Sequence, residues 1–267
     1  MTVLFGNLPF DRFILKHWDT TSPRSREEQK RLLLIRWIGL GDRGRKQYFH
    51  ASPKADEVSP GVPQDLLTPA QRAADGDPSR KLWIRTWFGK KDDAESQVAA
   101  EEEYRRLFFH VLQQGEENES YGLSVVDEEF IYDYRDFDAP DTEIRDGNVL
   151  ATPWSTPTWL INALMRCPDQ LSGTGGLGVN VPGDDKDDED QQLLIAIADR
   201  KACVDGWVLL VGINHKGQIL PVRVRDKATE VDLVVTEWDE GASLAKLYRD
   251  GNSQGGELYL HDGDGWE

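Results

Sequence analysis

The sequence predicts an α/β protein, with a mixed sheet of about five or six strands flanked by helices and an N-terminal extension. Three observations carry that expectation. The stretch 193–225 holds the densest apolar and β-branched content of the 267 residues. Within it, 193–198 and 207–213 are continuous apolar runs, the form of strands covered on both faces. Upstream of it, short apolar runs alternate with helix-like segments that carry recognisable starts and stops, the arrangement of a sheet with helices laid on it.

Taken in order, residues 1–80 read as an N-terminal extension and proline-rich linker. Ser25 followed by Glu28 forms a capping box, and 26–38 continues with good helix formers to Gly39, so a helix is expected there. A strand over the equally apolar 32–38 is its rival. Five prolines between 51 and 78 mark loop or linker and place the boundary before Leu82. The run 82–88 is a strand whose alternation sets Trp83, Arg85 and Trp87 on one face. After Gly89, Asp92 or Asp93 caps a helix closed by Gly115, with Glu101 and Glu102 four residues before Arg105 and Arg106. Residues 121–126 form a strand ending on Asp127. Thr156 and Pro157 open a helix that stops at Pro168.

The central segment follows. Residues 207–213 and 218–225 make a hairpin about the turn 214–217. Alternation of Ile219, Val222 and Val224 with Arg223 and Arg225 predicts one dry face for its second strand, near a sheet edge, and Pro221 agrees. Residues 231–236 are expected as a further strand, Asp239 as the cap of a helix through Leu244, Leu247 and Tyr248, and 252–267 as a loose C-terminal tail. The α/β unit therefore spans 81–251, with an acidic, disordered-like insert at about 173–190.

The segments LWIRTWF with its following DDAES, IAIADR, DGWVLLVGI and PVRVR resemble a family of small microbial α/β domains of unknown function, over about 82–251. Family members usually carry an acid where Trp87 stands and lack a long acidic insert. The resemblance implies a fold and brings no assigned activity.

Lys and Arg number 31 against 48 Asp and Glu, a formal charge of −17. Such a surface repels nucleic acid and anionic lipid, so neither is an expected partner. Cys167 and Cys203 cannot form a disulfide framework, and no run approaches the length of a membrane span, so a soluble cytoplasmic protein is expected. Motifs for chemistry are absent or out of context. The glycines of 173–178 spell GxGxxG without a strand before or a helix after. The acidic run 184–190 and Asp262 with Asp264 lack the spaced ligands of a calcium loop. The five histidines have no ligand spacing. No cofactor or metal site is expected, and catalytic residues are unknown.

One constellation remains. Ligands bind beyond the carboxyl ends of parallel strands, and Asp127 and Asp199 each end an apolar strand. Arg85 is the third candidate, expected to pair with Asp199 or Asp127 because a buried guanidinium needs compensation. The reading is a non-enzymatic binding or regulatory protein using an acidic, aromatic-rich surface, from Phe130, Tyr132, Tyr134, Phe137, Trp154 and Trp159, toward a protein partner. The alternative is a metal-assisted hydrolase using Asp127 and Asp199.

Overall fold

The computed structural model describes residues 8–49, 81–90, 92–113, 124–126, 152–171, 191–244, 258–260 and 264–266. The helices are α1 (Pro9–His17), α2 (Arg26–Gly39), α3 (Gly41–Arg45), α4 (Ala94–Gln113), α5 (Thr158–Arg166), α6 (Arg200–Asp205) and α7 (Val231–Asp239). The strands are β1 (Lys81–Arg85), β2 (Ser124–Val126), β3 (Gln191–Ala198), β4 (Trp207–Asn214), β5 (Ile219–Lys227) and β6 (Leu258–Leu260). They form one mixed sheet in the order β2-β1-β3-β4-β5-β6, in which four strands of five to nine residues are flanked by a three-residue strand at each edge. β1 runs parallel to β2 and β3, β4 is antiparallel to both β3 and β5, and β6 is parallel to β5.

Continuous apolar strands produce two dry faces because successive side chains point opposite ways. On the first face, Leu82, Ile84, Leu193, Ile195, Ile197, Leu209, Val211 and Ile213 pack with α1, α2 and α5. On the second, Trp83, Leu194, Ala196, Ala198, Val208, Leu210 and Val224 pack with α4, α6 and α7. The molecule is thus three layers, helix on sheet on helix.

The capping box of α2 is present in both halves, with Ser25 Oγ accepting from the Glu28 amide and the Glu28 carboxylate accepting from the Ser25 amide. That resolves the helix-or-strand rivalry at 32–38. Phe10, Phe13, Leu34 and Trp37 are fully buried in the same cluster as the sheet residues, so the extension is packed on the sheet. The proline-rich stretch suggested a separable segment, but it carries no information on what the residues before it cover.

Other expectations shift. Residues 231–236 are helix, not strand, because Val231, Val234, Val235 and Trp238 recur at i, i+3, i+4 and i+7 and are all buried. Asp239 ends that helix and does not start the next. Leu244 is buried, and the rest of the helix expected after it lies outside the described residues. Pro157, not Thr156, is the N-cap of α5, while Thr156 Oγ1 donates to the Gly217 carbonyl at 2.9 Å. Arg223 and Arg225 do not line a wet face: both are buried. The tail expected to be loose supplies β6, and Trp266 caps the second layer, its indole donating to the Val204 carbonyl at 3.2 Å under the Arg106 guanidinium. Gly206 is what permits this close approach. It ends α6 with φ 79°, and a β-carbon there would stand 2.6 Å from the Gly265 backbone. The segments 173–178 and 184–190 lie outside the described residues.

Candidate functional site at the carboxyl edge of the sheet

The connections leaving β1 and β3 enter α4 and α6, which both lie on the second face. The chain therefore leaves the carboxyl ends of these two parallel strands toward the same side of the sheet, unlike the opposed departures that open a ligand crevice in α/β sheets. The two ends are tied together, Arg85 lying opposite Ala198 and the Thr86 amide donating to the Ala198 carbonyl at 3.1 Å. All three candidate residues belong to this edge by sequence, and Asp127 lies outside the described residues.

Asp199 follows β3 directly and is 1 % exposed. Its Oδ1 accepts from the Ala202 amide at 2.9 Å, capping α6. The Arg225 guanidinium completes the carboxylate as a fork, Nη1 to Oδ1 at 3.0 Å and Nη2 to Oδ2 at 2.5 Å, and Nη1 also reaches the Trp207 carbonyl at 3.0 Å. Paired charge-assisted bonds in planar register are the strongest arrangement open to a buried carboxylate. Both oxygens are held by donors inside the protein, which leaves Asp199 poorly placed to ligate a metal. The partner is Arg225, so the expected Arg85–Asp199 pair is not formed. The strand alternation that brings Arg225 to this end was visible in PVRVR, but there the arginines looked solvent-facing.

Arg85 is also buried, at 3 % exposed, by a different set of neighbours. Its planar guanidinium is sandwiched between the Phe88 and Tyr104 rings, with centroids 4.3 and 4.2 Å away. Nε donates to the Trp87 carbonyl at 2.9 Å and Nη1 to Glu101 Oε2 at 2.7 Å. Glu101 sits one turn above on α4, where its other oxygen accepts from Arg105 at 2.9 Å. The hydrogen bond from Arg85 is the main reason the Glu101 carboxyl lies below its ordinary range; partial burial opposes it, and Arg105 adds to the lowering. Sequence spacing had found the Glu101–Arg105 pair and missed that the same carboxylate turns inward to β1. Trp83, on the same face as Arg85, donates its indole hydrogen to the Tyr104 hydroxyl at 3.1 Å.

The charged strand-end residues Arg85 and Asp199 are therefore satisfied by the protein's own side chains. Thr86, 1 % exposed, has an Oγ1 with no hydrogen-bond partner among the described residues. Among the described residues no group of three or more His, Cys, Asp or Glu is disposed to hold a metal ion, and no helix is long and apolar enough to cross a membrane.

Of the expected aromatic surface, Phe130, Tyr132, Tyr134 and Phe137 lie outside the described residues, and Trp159 is core. Trp154 is different. Its side chain is 53 % exposed although its backbone holds φ 60°, a left-handed conformation that non-glycine residues rarely adopt. The turn is fixed against the start of β5. The Trp154 amide donates to the Ile219 carbonyl at 2.7 Å, the Ile219 amide to the Ser155 carbonyl at 2.9 Å, and Gln218 Nε2 to the Trp154 carbonyl at 3.3 Å.

The fold is a three-layer α/β arrangement whose strand-end Arg85 and Asp199 are held by Glu101 and Arg225. Comparison with known protein families, characterised proteins and solved structures finds no match.

Proposed function

We propose that this is a non-enzymatic binding or regulatory protein that engages a protein partner through its acidic, aromatic-bearing surface, with the Trp154 turn as a contact element. The observation that carries the reading is Trp154 itself. A left-handed backbone at a residue with a β-carbon costs on the order of 1 kcal/mol, and leaving a large indole in water forgoes about as much again. Three backbone-directed hydrogen bonds hold this arrangement in place, so an aromatic anchor is presented already ordered, the condition under which tryptophans dominate interfaces.

The hydrolase alternative draws on Asp127 and Asp199. The occupation of both Asp199 oxygens by Arg225 and the α6 amide weighs against it. The binding reading goes with a cytoplasmic location, as the two buried cysteines and the charge of −17 suggest. It also fits the resemblance of 82–251 to a domain family without an assigned activity.

The experiment is a pair of measurements on the full chain. Native mass measurement of the tagged protein isolated from its own cells should show a defined heteromeric complex that Trp154→Ala dissociates without changing thermal stability by more than a few degrees. Ester and phosphoester hydrolysis screened with divalent metals should stay at background. Metal-dependent turnover lost on Asp127→Asn would overturn the proposal in favour of the hydrolase.

A further inference from the structure

The charge of this chain is unevenly distributed. Residues 1–50 hold ten Lys and Arg against five Asp and Glu, a net of +5, so the remainder carries −22. Within that basic segment, α1, α2 and the 3-10 turn at Lys46–Tyr48 bring one group of side chains together. His17 Nε2 lies 3.1 Å from the Tyr48 hydroxyl. The His17 ring stacks 4.6 Å from Phe13, whose ring is 5.3 Å from that of Tyr48. Over this aromatic group stand two exposed cations, Lys16 with Nζ 5.9 Å from the Tyr48 centroid and Arg36 with Cζ 5.8 Å from the Phe13 centroid. Arg12 ties the base, its Nη1 donating to the Tyr48 carbonyl at 2.7 Å and to the Phe49 carbonyl.

Among the described residues the cluster includes no carboxylate. Some exposed cations elsewhere find acids: Lys46 with Asp42, Arg105 with Glu101 and Arg106 with Glu103. Among the described residues neither Lys16 nor Arg36 is in an ion pair, in a chain with an excess of acids. Their distances to the rings are at the outer limit of a useful cation–π contact, so stacking alone is a weak reason to gather them. Their fields converge on His17. Burial first, then Arg36 and Lys16, hold its imidazole below the ordinary value, with no offsetting acid among the described residues. The Tyr48 hydroxyl is pushed up by burial, against Arg36, and stays protonated near neutral pH. Two cations, an imidazole and a phenol are the donor set of an oxyanion site, the guanidinium offering a fork and the ammonium a point charge.

We propose that Lys16, His17, Arg36 and the Tyr48 hydroxyl form a binding site for a small phosphate-class dianion, either free or as the phosphoryl group of a small ligand. The −22 carried by the rest of the chain repels extended polyanions, which separates this site from a nucleic-acid surface. The site shares no residue with the Trp154 turn and does not depend on the role proposed for it.

The test is the titration of His17, followed by NMR in the full-length protein with inorganic phosphate and, at matched ionic strength, with chloride. Phosphate should raise the His17 midpoint by about one pH unit, since a bound dianion favours the imidazolium. The paired substitution Lys16→Met and Arg36→Met should raise the midpoint in chloride and abolish the phosphate response. Lys16→Gln alone should weaken phosphate binding by several-fold and serves if the double variant does not fold. A phenyl phosphate arm that reproduces the shift at lower concentration identifies a phosphoryl-bearing ligand, and one that only matches phosphate identifies the free ion; either supports the site. Identical wild-type titrations in phosphate and chloride would overturn it. So would a shift produced by a single-stranded ten-nucleotide DNA and not by phosphate.

Discussion

Lys30 offers a sharp test of the packing between the N-terminal helices and the first face of the sheet. It lies on α2, is 8 % exposed, and donates from Nζ to the Met165 carbonyl at 2.6 Å, at the last turn of α5. Burial lowers its pKa from 10.5 to about 8, Arg166 adds to the lowering, and Asp11, Cys167 and Asp169 oppose it. The folded state thus binds the proton less tightly than the unfolded chain. Below about pH 8 the full penalty of burying the charge is present; as pH rises from there toward 10.5 the unfolded state holds more protons and stability increases. At 1.36 kcal/mol per unit, the rise between pH 7 and pH 10 is roughly 2.5 kcal/mol from this residue alone. Lys30→Met keeps the stem and removes the titration. Urea unfolding followed by tryptophan fluorescence at several pH values, wild type minus variant, isolates the contribution from other lysines and from the Cys167 thiol, which burial pushes up to about 12. The variant should gain on wild type at pH 7 and lose that advantage by pH 10. Parallel stability–pH curves for the two proteins would show that the amine is hydrated in solution and that α2 does not seal against α5.

Arg85→Ala should cost about 2 to 3 kcal/mol, through the lost stacking on Phe88 and Tyr104 and the bond to the Trp87 carbonyl. That is less than for a carboxylate left stranded in the core, because Glu101 is partly exposed and can rehydrate. Arg85→Lys should recover under half of it in chemical denaturation, since an ammonium cannot stack and fork together. Removing residues 1–49 should abolish cooperative unfolding, because it strips Phe10, Phe13, Leu34 and Trp37 from the first face; a soluble, cooperatively folded 50–267 fragment would contradict that. Trp37→Ala alone is expected to cost about 3 to 5 kcal/mol by thermal denaturation.

Elements with a local cause were legible in the sequence. The α2 capping box, the hairpin at 214–217 and the two-faced strands β3 and β4 each follow from a few adjacent residues. What failed depended on distant neighbours. Residues 231–236 read as a strand by β-branched content, and only burial on α4's side of the sheet selects the helical period of Val231–Asp239. β6 has three residues and exists because β5 offers an edge at Arg223–Arg225. Arg85 reads as a buried guanidinium in need of compensation and Asp199 as a strand-end acid, but the sequence does not choose their partners. Asp199 takes Arg225 from the far side of the hairpin, 26 positions on, and Arg85 takes Glu101 from a helix whose acids looked wholly exposed. Sequence periodicity identifies which side chains must be satisfied. The register of three strands decides by whom.

Asp199 is a structural acid locked by Arg225, which leaves this edge of the sheet without a working carboxylate at β3. A double-mutant cycle of Asp199→Asn and Arg225→Met, by urea unfolding at pH 7, tests it most directly. Each single change should cost about 3 to 5 kcal/mol by stranding its partner or, for Asp199, weakening the α6 cap as well, and the double change should cost clearly less than their sum, with a coupling of about 2 kcal/mol or more. Additive losses, or an Asp199→Asn protein as stable as wild type, would mean that the carboxylate is unpaired in solution and available to a ligand or metal, contrary to this account.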